Sequence, residues 1–214
     1  MLASAPVGSS EDLFARWAAG DSAAGSELFD LHFESLYRFF RNKAGDAVED
    51  LVQETMLACV RSKDSFRGDA SFRTYLFTVA RHELYAHFEK RKKKLHREDE
   101  LGSLSVADLA TSPSGALAKR RDQDLLLRAL RALPLDLQVA LELHYFEDMD
   151  GPDMAAVLGV PEGTVRSRLR RAKEAVRTKL EELATVGDEQ ALGESRHDLD
   201  GWARGIKSSF EREE

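Results

Sequence analysis

Residues 150–177, DGPDMAAVLGVPEGTVRSRLRRAKEAVR, carry the clearest structural pattern in the chain. They read as two short helices joined by a tight turn, because Ala155 is small enough to let the helices cross closely and Gly159 can adopt the positive φ that the turn demands. Val165 is expected to pack the second helix onto the first. Pro161 fits the first position of that helix, where a missing N–H costs nothing. The stretch predicts a helix-turn-helix.

The second helix of this motif is strongly basic. Residues 161–180 hold seven Lys/Arg and two Glu, a local charge of +5. A basic helix presented by such a turn suits the major groove of duplex DNA, whereas the alternative is an αα-hairpin whose arginines form only a solvated face. The side chains predicted to remain exposed on this helix are Glu162, Thr164, Arg166, Ser167, Arg170, Arg171 and Lys173.

The composition is that of a soluble protein, and 214 residues suffice for one large or two small domains. No apolar run approaches the ~20 residues of a membrane span, and the N-terminus lacks the basic start and apolar core of a secretory signal. Cys59 is the only cysteine, which excludes an internal disulfide and a cysteine-based zinc site. We therefore expect a cytoplasmic protein without a metal or cofactor.

The net charge of −7 conceals a strong segregation of charge along the chain. Residues 90–97, KRKKKLHR, hold six Lys/Arg and no acid, whereas residues 181–214 hold four Lys/Arg and ten Asp/Glu, a local charge of −6. Binding to nucleic acid follows local patches rather than the total, so the net acidity does not exclude it. The segregation also allows the acidic tail to cover a basic face.

Apolar residues recur with helical periodicity along most of the chain, and no stretch alternates with period two for long enough to form a strand. We therefore predict an all-α fold of two small helical domains joined by a flexible linker, with a C-terminal extension. The linker is residues 95–115, where the pattern is lost and Ser, Gly and Asp accumulate. Helices are predicted at residues 11–20, 26–43, 47–63, 71–93, 116–133 and 135–146, ahead of the helix-turn-helix.

The helix predicted at residues 47–63 has an apolar and an acidic face, and the helix at residues 71–93 interleaves aromatic with basic side chains. The latter pattern is typical of a single-stranded nucleic-acid site, since every base offers a face for stacking. The alternative is that the aromatics are core, and Phe72 and Phe88 fit that reading better. The inward residues of the earlier helix are Val48, Leu51, Val52, Thr55, Met56, Cys59 and Val60, and its exposed ones are Glu49, Asp50, Gln53 and Glu54.

One short segment is similar to a zinc-protease signature, HELYAH at residues 82–87. Its histidines are five residues apart, a rotation of about 500° around a helix, which leaves the two side chains on different faces. No set of nucleophile and base stands out elsewhere. We predict that the protein is not an enzyme by itself.

Two parts of the chain resemble the extracytoplasmic-function group (group 4) of the sigma-70 family of bacterial RNA polymerase sigma factors. Residues 46–60, DAVEDLVQETMLACV, followed by residues 66–84, FRGDASFRTYLFTVARHEL, are similar to the first conserved sigma domain, region 2. Residues 133–180, which include the helix-turn-helix, are similar to the last one, region 4. The resemblance covers about residues 25–182, and two motifs in this order are far more specific than a lone helix-turn-helix.

The resemblance implies a factor that binds core RNA polymerase and directs promoter-specific transcription initiation, with catalysis left to the polymerase. The implied partners are the clamp helices of the largest polymerase subunit, the flap of the second-largest subunit, promoter DNA and an anti-sigma factor, without membrane insertion. The implied order is a disordered N-terminus (1–10), region 2 (11–94), the linker (95–115), region 4 (116–183) and an acidic extension (184–214).

The resemblance also implies roles for matching positions, with duplex −35 DNA read by a helix in the major groove and the melted −10 strand held by stacking and flipped-base pockets. The core-polymerase positions are Glu49, Asp50, Gln53 and Glu54. The −10 positions are Phe66, Arg67, Gly68, Asp69, Ser71, Phe72, Tyr75, Arg81 and His82. The −35 positions are Thr164, Arg166, Ser167, Arg170, Arg171 and Lys173.

The chain departs from the family pattern at two −10 positions. The family usually has Trp where Tyr75 stands, and often has Asn where His82 stands, a position tied to the choice of −10 base. An altered −10 preference is therefore expected.

The acidic extension carries Trp202, Ile206 and Phe210, spaced four apart so that they would line one face of a helix. With the charge of −6 over residues 181–214, this stripe suggests that the extension docks on the rest of the chain or holds an anti-sigma partner; the alternative is a disordered tail without consequence. For the whole chain, the alternative function is a helix-turn-helix transcriptional regulator that binds duplex DNA without polymerase. Such a regulator has no need of the first domain.

Overall fold

The structure, a computed structural model, describes residues 9–66, 68, 70–99 and 119–183. Within these residues the chain is helical and contains no strand, which confirms the all-α prediction. It divides into two compact units, Met1–Thr111 and Ser112–Glu214. The helices are α1 (Ser10–Ala18), α2 (Ser22–Ala44), α3 (Val48–Ser62), α4 (Phe72–Asp99), α5 (Lys119–Arg131), α6 (Leu135–Tyr145), α7 (Gly151–Leu158) and α8 (Glu162–Leu183), with 3-10 turns at Gly45–Ala47 and Lys63–Ser65.

In the first unit α2 lies at the centre and packs against α1, α3 and α4. Its apolar residues recur at helical spacing, so one broad side of the helix is removed from water. Side chains buried in this core are Leu13, Leu28, Leu36, Phe39, Phe40, Leu51, Val52, Cys59, Phe72, Leu76, Phe77 and Leu84.

Val60 does not belong to this core, although the spacing of α3 predicted it to face inward. Its side chain is 50% exposed, whereas its neighbour Cys59 is completely buried. Adjacent residues on a helix differ by about 100° in direction, so the side chain next to a central core position points well away from the core. The exposed face of α3 is therefore wider than predicted.

Two helix boundaries differ from the predicted ones by about four residues or more. α2 begins at Ser22 rather than at residue 26, because the Asp21 carboxylate caps it, accepting from the backbone N–H of Ala23 at 3.0 Å and of Ala24 at 3.1 Å. α4 continues to Asp99, so residues 95–99 of the predicted linker are helical. Residues 95–99 contain neither Gly nor Pro, and most are adequate helix formers.

The second unit is built on α5, α6 and α8, with α7 packed against α6 and α8. The C-terminal half of α8 contributes Ala172, Val176 and Leu180 to the main apolar cluster. The N-terminal half buries Val165, and α7 buries Met154, Val157 and Leu158. α8 is thus anchored along its whole length on one side.

None of the helices in the described ranges has the length and apolar character that crossing a lipid bilayer requires. The same residues bring together no group of three or more His, Cys, Asp or Glu side chains suited to a metal ion. Cys59 is buried in the first unit, and this burial raises the pKa of its thiol to about 12.

Candidate nucleic-acid and protein interfaces

The turn between α7 and α8 has the geometry that the sequence predicts for a helix-turn-helix. The Asp150 carboxylate caps α7, accepting from the N–H of Asp153 at 2.9 Å. Gly159 ends α7 with φ +64°, a left-handed conformation that glycine adopts without strain. The N–H of Val160 then donates to the carbonyl of Ala155 at 3.2 Å, which closes the turn.

Pro161 stands one residue before α8 rather than at its first position. Its carbonyl accepts from the N–H of Thr164 at 2.8 Å and from that of Val165 at 3.2 Å, so it opens the hydrogen-bond ladder of the helix. Proline is tolerated at this position because it has no backbone N–H that would need a hydrogen-bond partner. The predicted position is wrong by one residue, and the direction of α8 is unaffected.

The exposed side of α8 is a continuous polar and basic surface, called here the reading face, which consists of Arg166, Ser167, Arg170 and Arg171. The Arg166 side chain is 77% exposed and lies a loose 3.9 Å from Glu162. Within the part of the chain that the structure describes, Arg170 and Arg171 form no ion pair. Their charge is therefore available to an anionic ligand.

Three other polar residues of α8 lie beside the reading face or behind it. Arg168 is turned inward, with Nε 3.6 Å from Asp136 Oδ2 and only 15% of its side chain exposed. Lys173 is half-buried, with Nζ 5.2 Å from the centre of the Tyr145 ring. Thr164 is half-buried, and its carbonyl accepts from Ser167 Oγ at 2.9 Å. Four of the six predicted −35 residues form the reading face. The other two, Thr164 and Lys173, lie at its edges.

The loop before α4 is held by aromatic packing at one end and by a helix cap at the other. The half-buried Phe66 ring lies 4.7 Å from Tyr75, centre to centre. Ser71 Oγ caps α4, accepting from the N–H of Thr74 at 3.0 Å. Gly68 lies between them, exposed, with φ +75°. Arg67 and Asp69 lie outside the described residues.

Phe72 is placed in the core and not at the surface of this loop. Its side chain is 1% exposed and lies 5.6 Å, ring to ring, from His32. A ring this deeply buried supports its neighbours instead of offering a face to a base. The geometry therefore favours Phe72 as a core residue and not as a −10 contact.

Tyr75 is fixed in place at the edge of the same loop. Its hydroxyl forms a short hydrogen bond with Ser62 Oγ, and Ser62 in turn donates to the carbonyl of Ala58 at 2.5 Å. Partial burial raises the pKa of the Tyr75 hydroxyl, so the ring is neutral at physiological pH. An anchored neutral ring is suited to stacking.

Further along α4, Arg81 and His82 follow one another with different exposure. The Arg81 guanidinium lies 4.7 Å from the centre of the Tyr85 ring, and its buried Nε has no hydrogen-bond partner among the described residues. His82 is exposed. One turn later, burial and then the charges of Arg91 and Lys90 lower the pKa of His87, so this imidazole is neutral at pH 7.

The exposed face of α3, called here the α3 face, begins acidic and ends apolar. The four predicted residues Glu49, Asp50, Gln53 and Glu54 are exposed. Leu57 and Val60, which are 43% and 50% exposed, continue the face toward the C-terminal end of the helix. The sequence interpretation missed Leu57, although the spacing 50, 53, 57, 60 identifies one side of a helix.

Comparison with known proteins divides the chain in the same way. The sigma-70 region 2 family matches residues 28–94, and the sigma-70 region 4 family matches residues 123–176. The chain is 32% identical over 143 residues to the RNA polymerase sigma-H factor of Pseudomonas aeruginosa, covering 63% of this chain and 74% of that protein. It is 29% identical over 147 residues to the ECF RNA polymerase sigma-E factor of Escherichia coli K12, covering 65% and 76%.

Two solved structures share this fold. The sigma factor RpoE from Bartonella quintana, in complex with the anti-sigma factor NepR, has a TM-score of 0.57 and 29% identity over 71% of this chain and 92% of that chain. CnrH, in complex with the cytosolic domain of CnrY, has a TM-score of 0.60 and 24% identity over 80% and 97%. The chain belongs to the extracytoplasmic-function group of the sigma-70 family of RNA polymerase sigma factors. The resemblance inferred from the sequence is thereby confirmed.

Proposed function

We propose that this sigma factor directs promoter-specific initiation through three separate surfaces: the reading face of α8 for duplex −35 DNA, the loop before α4 for the melted −10 strand, and the α3 face for core RNA polymerase. The observation that carries this proposal is the division of charge between helices. The reading face offers arginines, of which Arg170 and Arg171 form no ion pair among the described residues, whereas the α3 face offers carboxylates. A DNA phosphate backbone can therefore bind the reading face, whereas a basic protein surface can bind the α3 face.

At the −35 element, Arg166, Arg170 and Arg171 have the reach and geometry to contact guanine edges or phosphates in the major groove. Ser167 adds a hydroxyl that can bond to a base or a phosphate. Arg168 belongs to the support of the helix, because its guanidinium faces Asp136 on α6. This arrangement supports a recognition helix with a packed inner side and an exposed, cationic outer side.

At the −10 element, Phe66 and Tyr75 supply aromatic surface beside Gly68, where backbone can approach a ligand closely. Exposed His82 stands further along the same helix. The basic side chains of residues 90–94 are exposed and suited to the phosphates that follow. This surface favours a single strand over a duplex, since stacking requires unpaired bases.

On the α3 face, Glu49, Asp50, Gln53 and Glu54 form the contact to the clamp helices of the largest polymerase subunit. The flap of the second-largest subunit is the partner assigned to region 4. With catalysis carried out by the polymerase, the factor itself needs no catalytic group, and it acts in the cytoplasm, where core polymerase and promoter DNA are found.

Control by an anti-sigma factor is supported by the similar sigma factor RpoE of Bartonella quintana, whose structure was solved in complex with the anti-sigma factor NepR. The acidic extension offers a second means of control, since residues 181–214 carry a charge of −6 that is complementary to the reading face. Trp202, Ile206 and Phe210 of this extension lie outside the described residues. Its docking on the chain or on a partner remains a hypothesis.

The experiment that tests this proposal is run-off transcription with core RNA polymerase on a promoter library. The full chain is compared with Asp50→Arg, Tyr75→Ala and Arg170→Ala, and Arg177→Ala serves as a matched control that removes an exposed cation further along α8. A chain ending at Leu183 tests the extension. Each of the three variants should impair a different step, and the control should behave as the unaltered chain.

The expected results separate the three surfaces. Asp50→Arg should lose binding to core polymerase, Tyr75→Ala should lose opening of the −10 element, and Arg170→Ala should lose −35 affinity by about tenfold. More product from the chain ending at Leu183 would make the extension inhibitory. Duplex DNA binding without any initiation, from any form, would refute the proposal in favour of a regulator that acts without polymerase.

A further inference from the structure

The N-terminal helix α1 lies against the loop that we assign to the −10 strand. The half-buried Phe14 ring meets Phe66 edge-on, with 4.7 Å between ring centres and 78° between planes. It also stacks on Phe72 at 5.6 Å. Lys63, in the 3-10 turn that leads into the loop, donates from Nζ to the carbonyl of Trp17 at 3.3 Å. Both the turn and the first loop residue therefore contact α1.

Phe66 has two aromatic neighbours as a result. Phe14 of α1 and Tyr75 of α4 each lie 4.7 Å from it, ring centre to ring centre. Beyond Phe66 the loop continues to exposed Gly68, where the missing side chain leaves the backbone little restraint of its own. The Phe66 end of the loop is therefore placed by these two aromatic neighbours, whereas the Ser71 cap holds the other end.

α1 is itself firmly fixed, although it precedes the residues 28–94 that match the region 2 family. Leu13 is completely buried. Ser10 Oγ lies 2.9 Å from His32 Nε2, and Arg16 forms an ion pair with Asp21 at 2.7 Å. A helix anchored at both ends can hold the side chain between them, Phe14, in one place.

We propose that α1 is a positioning element for the −10 strand, and that Phe14 sets the placement of Phe66 and Tyr75. The inference rests on the proposed −10 role of this loop. Phe14 need not touch DNA. It keeps Phe66 in the position that receives a base, so that binding does not have to order the loop first. Removal of the Phe14 ring takes away one of the two aromatic contacts of Phe66 and weakens both the affinity for the −10 strand and its sequence preference.

The test uses holoenzyme assembled from core polymerase and the full chain, with fluorescence anisotropy of two single-stranded oligonucleotides. One carries the −10 sequence selected by run-off transcription, and the other is scrambled. The variants are Phe14→Ala and Phe14→Leu. The matched control is Phe29→Ala, which removes an aromatic ring from the same cluster, 5.3 Å from Trp17 and 6.2 Å from Phe72. Thermal unfolding and core affinity are measured for every variant.

Phe14→Ala should bind the selected oligonucleotide about three- to tenfold more weakly, the effect of a lost aromatic pair, and should discriminate less against the scrambled one. Phe14→Leu should lose less of this affinity and discrimination than Phe14→Ala. Phe29→Ala should keep the discrimination of the unaltered chain even if its thermal stability falls. Core affinity should stay within about twofold throughout, because the α3 face is not altered.

Two results would overturn the inference. Unchanged discrimination in Phe14→Ala would show that the loop is placed without α1, and an equal loss in Phe29→Ala would reduce α1 to a stabilising element. A third result would refute the proposed −10 function and not only the role of α1. If holoenzyme with the unaltered chain does not distinguish the two oligonucleotides, the −10 assignment fails, and the inference fails with it.

Discussion

Trp17 of α1 lies so close to Gly25 of α2 that a Cβ on Gly25 would be 2.4 Å from Cδ1 and 2.6 Å from Nε1 of the indole. The indole has little room to move aside, because it is 8% exposed and packs 5.3 Å from Phe29 and 6.4 Å from Phe72. Glycine is therefore required at position 25 by close packing, whereas its backbone conformation is that of an ordinary helical residue.

We predict that Gly25→Ala destabilises the first unit by about 1–3 kcal/mol, the usual effect of overpacking a filled site. The change in the free energy of unfolding is measured by urea denaturation, monitored by circular dichroism. Gly163→Ala is the control, because no atom lies within 4 Å of a Cβ at that exposed helical position. The control should be neutral or slightly stabilising. Equal stability of Gly25→Ala and the unaltered chain would mean that α1 does not hold its place.

We predict that Gly159→Ala destabilises the second unit by about 1–2 kcal/mol, since a side chain at φ +64° meets the following carbonyl. Gly159→Asn should lose less, because asparagine tolerates the left-handed conformation. Thermal unfolding measures the stability, and the affinity for −35 duplex reports the placement of α8. If alanine and asparagine were equally harmless, the turn would not depend on glycine.

We predict that Leu57→Asp lowers the affinity for core polymerase about tenfold, as expected for an apolar contact at the centre of an interface. Leu57 is 43% exposed and lies in line with the acidic residues of the α3 face. Leu31→Asp is the matched control, because Leu31 is 46% exposed on α2. Competition binding with labelled core enzyme measures both. An equal effect of the two substitutions would indicate a general loss of solubility or fold.

We predict that stability contributed by Cys59 is lost as the pH rises from about 9 toward 12. The folded pKa of about 12 lies above the unfolded value of 9.0, so the unfolded chain releases the proton first and alkaline pH favours unfolding. Cys59→Ala should flatten the fall in stability over this range relative to the unaltered chain. At pH 8 the native thiol should react with a disulfide reagent only as fast as the unit opens; rapid reaction would contradict its burial.

The helices and the reading face could be predicted from the sequence because both depend on local patterns. The glycine at position 159 and the cap at Asp150 act within a few residues of where they stand. Arg168 was left out of the predicted −35 residues, and its guanidinium does face inward. Periodicity of about 3.6 residues suffices to separate the two sides of α8.

The contact between α1 and the loop before α4 could not be predicted from local patterns. Phe14 and Phe66 are far apart in the chain, and nothing in the local pattern of α1 indicates which aromatic residue it will meet. The same limit applies to Phe72, which periodicity favours as core but the family resemblance places at a −10 position; its packing against His32 decides for the core. Contacts between distant segments depend on the fold as a whole.

α8 combines two tasks in one continuous helix, since residues 166–171 form the reading face while Ala172, Val176 and Leu180 are held in the apolar cluster. The angular phase between the two is therefore fixed by residue count alone. One residue inserted after Arg171 would rotate the reading face by about 100° relative to its anchor, whereas seven would restore it to within about 20°. We therefore expect a one-residue insertion in α8 to impair DNA binding by this unit more than a single substitution on the reading face does.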